Sequence, residues 1–203
     1  AGQPAGRVGA AEPPHLHRPA RREDAEPAEA DVKWPAPPRR PGPSLRAQGG
    51  APATYCTGKL NSLGCFPVIG STGQPDPNSS TGFVIRAQRV RSNKPGLMCY
   101  SITGRASVPF QGGTLCLAAP LLRAPPVFSG GNPGNDCSGV YQVDMNAFAR
   151  GILGGSPAPE LLVAGTQVTV QFWGRDKHEP ANFSSSLSDA LEYVVPIPLP
   201  SDG

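Results

Sequence analysis

From Thr54 onward the chain is built of short segments with a two-residue apolar period, each closed by a cluster of Gly, Pro, Asn or Ser. This pattern constrains the fold more than any other feature. A period of two sends alternate side chains to opposite faces of an extended strand, so a segment of this kind buries its apolar face only in a sheet. "GTQVTVQFWGR" is the clearest case: Val168, Val170 and Phe172 share one face, and Thr169, Gln171, Trp173 and Arg175 share the other. "TGFVIRAQRV" sets Phe83, Ile85 and Ala87 against Val84, Arg86 and Gln88; Val90 then breaks phase, which predicts a bulge or a strand end. "GLMCYSITG" is apolar on both faces and reads as a central buried strand, and "GGTLCLAAP" as another short one. "ALEYVVPIP" supplies a last strand with Leu191, Tyr193 and Val195 in phase. The turn clusters between them are "STGQPDPNSSTG", "SGGNPGNDCSG", "GGSPAPE" and "KHEPANFSSS".

One segment departs from the pattern. In "DMNAFARGILGG", Met145, Phe148, Ala149 and Ile152 fall at helical spacing, with Asp144 placed to cap the start and Gly154-Gly155 to end it. The expected fold class is therefore all-β: a single antiparallel β-sandwich over residues 52–203 with one short helix.

Residues 1–51 have another character. They hold 10 of the 26 prolines, eight basic and six acidic side chains, and only Val8, Leu16, Val32, Trp34 and Leu45 as large apolar residues. Such a segment buries too little apolar surface to offset chain entropy, which predicts a disordered Pro/Ala/Arg-rich tail or linker. It reads as a spacer; "PAPPRRPGP" is the one stretch that could instead present a polyproline ligand. The net charge of +3 argues against a nucleic-acid partner. The apolar runs are far shorter than the roughly 20 residues of a membrane helix.

The five cysteines are Cys56, Cys65, Cys99, Cys116 and Cys137. They contain no CxxC pair and have too few histidines nearby for a zinc site. Cys56 and Cys65 flank a short loop, "TGKLNSLG", and Cys116 and Cys137 flank a proline- and glycine-rich one. Both pairs are plausible local closures, although spacing alone leaves the connectivity open. Cys99, inside "LMCYSI", is expected to be a buried free thiol. Two disulfides and one core thiol fit an exported protein; five reduced cysteines in a cytosolic one is the alternative.

The segments "TYCTGKLNSLGC", "PFQGGTLC", "NDCSGVYQVDMNAFA", "GTQVTVQFWGRD" and "LSDALEY" occur in this order across residues 54–195. In this the chain resembles an uncharacterised domain found near the C-termini of exported bacterial proteins, many of which carry repeat or propeller modules upstream. The resemblance implies export and a β-rich accessory module. It implies no catalytic residues.

Candidate chemistry is sparse. A Ser–His–Asp or Cys–His site needs a histidine in the folded part, where only His178 occurs, and no GxSxG elbow is present. Asp144, Asp176, Asp189 and Glu192 could form a carboxylate pair, but each has a structural explanation: a helix cap, a turn after a strand, a local cap with Ser186, and a solvent-facing strand position. "QPDPNSSTG" and "GGNPGNDCSG" offer calcium only one aspartate each, so no metal or other cofactor is expected. The strongest binding pattern is Trp173 beside Gln171 and Arg175, with Tyr100 and Tyr141 joining from neighbouring strands as a sugar-binding platform. Against it stands the tendency of tryptophan to be buried.

The leading expectation is a non-catalytic structural or adhesive module, extracellular or at the cell surface, with polysaccharide or further copies of itself as partners. A carbohydrate-binding module using Trp173 is the alternative, and a glycoside hydrolase-like enzyme the third.

Overall fold

The computed structural model describes residues 50–177 and 184–197. The expected tail up to residue 49 and His178 lie outside the described residues. The strands are β1 (Ala53–Tyr55), β2 (Val68–Thr72), β3 (Val84–Val90), β4 (Pro95–Ser101), β5 (Arg105–Phe110), β6 (Gly113–Leu117), β7 (Leu122–Arg123), β8 (Val127–Phe128), β9 (Gly139–Asp144), β10 (Gln167–Arg175) and β11 (Ser185–Val194). Among the described residues one α-helix, α1 (Met145–Ala149), follows β9.

The strands pair antiparallel. The large sheet runs β1-β11-β10-β4-β7, with β8 also on β4; the small sheet runs β2-β3-β9; β5 and β6 form a separate hairpin. The period-two pattern explains how the two sheets meet. Register places Val170 opposite both Tyr100 and Leu191, and Phe172 opposite Met98. These residues are buried, as are Phe83, Ile85 and Ala87 on the facing small sheet. Ring contacts join the sheets: Phe83 meets Tyr193 at 4.9 Å and Tyr141 stacks on Phe172 at 6.0 Å. Each such side chain removed from water contributes about 1.5–3 kcal/mol. The phase break at Val90 is a bulge. Arg89 has φ 60°, the β3–β9 register shifts between Gln88 and Val90, and Val90 returns to the core.

Three local expectations are corrected. The helix ends earlier than Gly154-Gly155. Gly151, with φ 74°, closes it: its N–H donates to Phe148 O and that of Ile152 to Ala147 O, a Schellman motif, and Ile152 is exposed. Asp144 does cap the start, accepting from the N–H groups of Asn146 and Ala147. Ser185 and Ser186 belong to β11 and not to a turn, so Asp189 sits within a strand. Its Oδ1 accepts from Ile69 N at 2.5 Å, closing an otherwise open donor on the edge of β2. Gly174 lies inside β10 opposite Gly96, and the Tyr141 ring lies so close to both that a Cβ on either would fall within 3 Å of ring atoms.

The last correction concerns the cysteines. The four expected participants do form two disulfides, but across the fold: Cys56–Cys116 and Cys65–Cys137, 60 and 72 residues apart. The short loop between Cys56 and Cys65 is closed instead by Asn61, whose side-chain oxygen accepts from Leu63 N and Cys65 N at 3.0 Å each. Cys99 is free, but it is only half-buried, on the face of the large sheet turned away from the core. Among the described residues no helix is long and apolar enough to cross a membrane.

Candidate functional site

The polar face of β10 turns away from the core, and the β5–β6 hairpin covers most of it. The hairpin turns through Gln111 and Gly112, both at positive φ, as a two-residue connection between twisted strands requires. Beneath it, Thr169 Oγ1 donates to Gly104 O at 3.1 Å. Gln171 is buried, and its amide bonds to the backbone at both ends: Oε1 accepts from Cys116 N at 3.1 Å, while Nε2 donates to Thr114 O at 3.1 Å and Ser188 O at 2.8 Å. At one end Arg105 makes a bidentate pair with Glu192, both bonds at 2.8 Å, and lies 4.2 Å from the Tyr55 ring centre. The Tyr55 hydroxyl donates to Cys116 O, beside the Cys56–Cys116 disulfide.

At the other end the cover is incomplete, and Trp173 sits there, half-buried. Its Nε1 donates to Gln111 Oε1 at 3.2 Å, and the Ser185 hydroxyl donates to the same oxygen. Between hairpin and sheet a cleft of about 250 Å³ remains. Leu97, Phe110, Leu115, Leu121, Leu187 and Trp173 form its apolar walls; Cys99, Gln111, Gln171 and Arg123 complete the lining. Arg123 pairs in register with Cys99 on β4, so the two side chains leave the sheet on the same face. Burial pushes the thiol's pKa up, and Arg123 offsets this in part.

The structure therefore brings together two of the five expected platform residues, Trp173 and Gln171. Arg175 shares their face but is exposed at the strand end and does not line the cleft. Tyr100 and Tyr141 are corrected outright: their positions point to the opposite face, and both are core residues. The Tyr100 hydroxyl accepts from Ala158 N at 3.0 Å, and that of Tyr141 donates to Pro95 O at 3.1 Å. Burial raises the pKa of both phenols.

A second polar cluster went unforeseen. Asp176, read as a turn residue, is fully buried. Arg91 Nη1 donates to its Oδ1 at 2.5 Å, and Ser62 donates to it through its N–H at 2.6 Å and its hydroxyl at 2.5 Å. Arg91 Nη2 donates to Asn135 Oδ1, and Arg91 Nε is buried without a partner. Burial alone would raise the carboxyl's pKa; the bonds from Ser62 and Arg91 outweigh it and hold Asp176 below the usual range. Asn61 Nδ2 lies 3.7 Å from Cys137 Sγ, so the cluster adjoins the Cys65–Cys137 bridge. The only sequence signal was an arginine directly after the β3 bulge, which reads as surface charge. Among the described residues no three His, Cys, Asp or Glu side chains converge as a metal site.

The fold and the site together define a disulfide-laced antiparallel sandwich with a covering hairpin and an apolar cleft beside it. Comparison with known protein families, with curated proteins and with solved structures finds no match to this chain.

Proposed function

We propose that this chain is a non-catalytic extracellular module, structural or adhesive, of an exported protein. One observation carries the reading: the two disulfides do not close local loops but lace the covering hairpin and the β9 loop to the segment after β1. Cross-links of this reach belong to an oxidising compartment and hold a surface rigid. The carboxylates fit the same reading. Asp144 caps α1, Asp176 pairs with Arg91, Asp189 closes an edge donor, and Glu192 grips Arg105. The carbohydrate alternative draws less support, since Gln171 is buried with both amide hydrogens and its oxygen already engaged, and neither tyrosine flanks Trp173.

The test is made on protein folded in an oxidising compartment. Light scattering and electron microscopy report assembly, and sedimentation with insoluble polysaccharide or whole cells reports adhesion. Assembly or retention supports the module. A monodisperse monomer that stays in the supernatant, or one that hydrolyses the polysaccharide, overturns it.

A further inference from the structure

The cleft beside Trp173 differs from the rest of the covered face. Elsewhere under the hairpin every polar group described above has a partner, and the layers are in contact. Here about 250 Å³ stays open between leucine, phenylalanine and tryptophan side chains. A dry apolar cavity of roughly 150 Å³ takes up benzene, and drug-sized ligands occupy pockets of about 300–1,000 Å³, so this volume suits a body somewhat larger than one ring.

Its polar groups narrow the chemistry. Gln171 is buried with its two amide hydrogens and its oxygen engaged by the backbone, and the Gln111 side-chain oxygen already serves Trp173 and Ser185. That leaves a polyhydroxylated ligand few partners. No Asp or Glu lines the cleft. Arg123 stands at its rim, exposed, with no hydrogen bond or ion pair among the described residues. An apolar body and one anionic end therefore complement the site.

We propose that this cleft binds a small anionic amphiphile: an alkyl or aryl chain seated against Leu97, Leu115, Leu187 and Trp173, its carboxylate at Arg123. The site does not rest on the structural-module reading; a rigid scaffold can carry it whether or not the chain assembles.

Cys99 in the wall and Trp173 beside it are built-in reporters. With four cysteines in disulfides, Cys99 is the one free thiol, so alkylation by iodoacetamide counted by intact mass reads this site. Trp34→Phe leaves Trp173 as the sole tryptophan for fluorescence. In the full-length oxidised protein, octanoate and 4-phenylbutyrate should slow Cys99 alkylation severalfold and shift Trp173 emission, while acetate does neither. Octanol should bind roughly two- to fivefold more weakly than octanoate, the size of an exposed ion pair, and Arg123→Gln should erase that difference. Leu115→Trp, which fills the cleft, should abolish protection with an unchanged circular dichroism spectrum. Should that variant misfold, Arg123→Gln at the surface still decides the charged end. Two results overturn the proposal. One is unchanged Cys99 alkylation at saturating octanoate and phenylbutyrate; the other is equal binding of octanol and octanoate that ignores Arg123→Gln.

Discussion

Arg91 and Asp176, 85 residues apart in the chain, form an ion pair of 2.5 Å with both side chains almost wholly cut off from solvent. The pair ties the end of the small sheet's middle strand to the end of β10. Removing one partner strands the other charge in a dry site, which costs about 3–5 kcal/mol; removing both with apolar replacements does not. Asp176→Asn and Arg91→Met should each lower stability by about that amount in urea unfolding. The double variant Arg91→Met/Asp176→Leu should lose clearly less than the sum of the two. Additive losses would show that the pair is not coupled.

Acid should act on this protein through its bonded carboxylates, Asp176 and Asp136 among them. Asp136 accepts from the Ser138 hydroxyl and N–H and from Asn132, and these bonds hold its pKa down at about 2, against an ordinary 3.8. For both groups the folded value lies below the unfolded one, so between the two the unfolded chain binds more protons. Their contribution is complete above pH 3.8 and is lost as pH falls toward the folded values. Asp189 has the opposite sign. Burial raises its pKa, so its contribution is present at low pH and is lost as pH rises through the raised value. Melting temperature followed against pH should fall steeply below about pH 4. Asp136→Asn should flatten part of that fall. Asp189→Asn, which keeps an acceptor for Ile69 N, should instead remove the opposing slope.

Peptide mapping without reduction should find the links Cys56–Cys116 and Cys65–Cys137, with one alkylatable thiol at Cys99. Each bridge closes a span of 60 or 72 residues, which in the chain-entropy description contributes about 4 kcal/mol. Cys56→Ser/Cys116→Ser should therefore cost several kcal/mol and loosen the hairpin first, seen as faster amide exchange in β5 and β6. Links between Cys56 and Cys65 would overturn the assigned topology.

The strands were legible in the sequence because period two is a local property. Val168, Val170 and Phe172 on one face, and the bulge before Val90, follow from neighbouring residues alone. What covers the opposite face of β10 is not local. The hairpin that engages Gln171 comes from residues more than fifty positions earlier, and nothing in "QFWGRD" announces it. The disulfide partners were hidden for the same reason, since spacing favours nearby cysteines whereas the fold joins distant loops. Asp176 looked like a turn residue because its partner Arg91 is defined only once β3 and β10 have been placed. Tyr100 faces the core because it pairs with Val170, and Tyr141 because it shares the core with Phe172; which face of an apolar strand turns inward is set by such pairings and not by local pattern.

Gly174 and Gly96 lie opposite each other beneath the Tyr141 ring. A Cβ at Gly174 would sit 2.7 Å from the Tyr141 hydroxyl oxygen and 2.8 Å from Cε2; at Gly96 it would sit 2.5 Å from Cζ. The ring is held between Phe172 and the strand pair and has little room to retreat. Gly174→Ala should cost about 1–3 kcal/mol by overpacking. Tyr141→Leu in the same chain should recover part of that loss, because the smaller side chain clears the Cβ. A Gly174→Ala variant as stable as the parent would mean that the ring moves freely.

Phe172 and Trp173 are adjacent in sequence and opposite in role. Phe172 is 1% exposed and stacks on Tyr141 across the sandwich, so Phe172→Ala should lose about 3–5 kcal/mol. Trp173 is half-buried, and its one hydrogen bond goes to the hairpin tip. Trp173→Ala should lose only about 1–2 kcal/mol, the sum of a partial burial and a surface hydrogen bond. That difference matters for function as well as for stability. A Trp173→Ala protein that still folds allows octanoate or polysaccharide binding to be measured without its tryptophan, separating the amphiphile site from the sugar platform. If Trp173→Ala unfolds as readily as Phe172→Ala, the ring is holding the hairpin to the sheet, and the cleft is a packing gap beside a core residue.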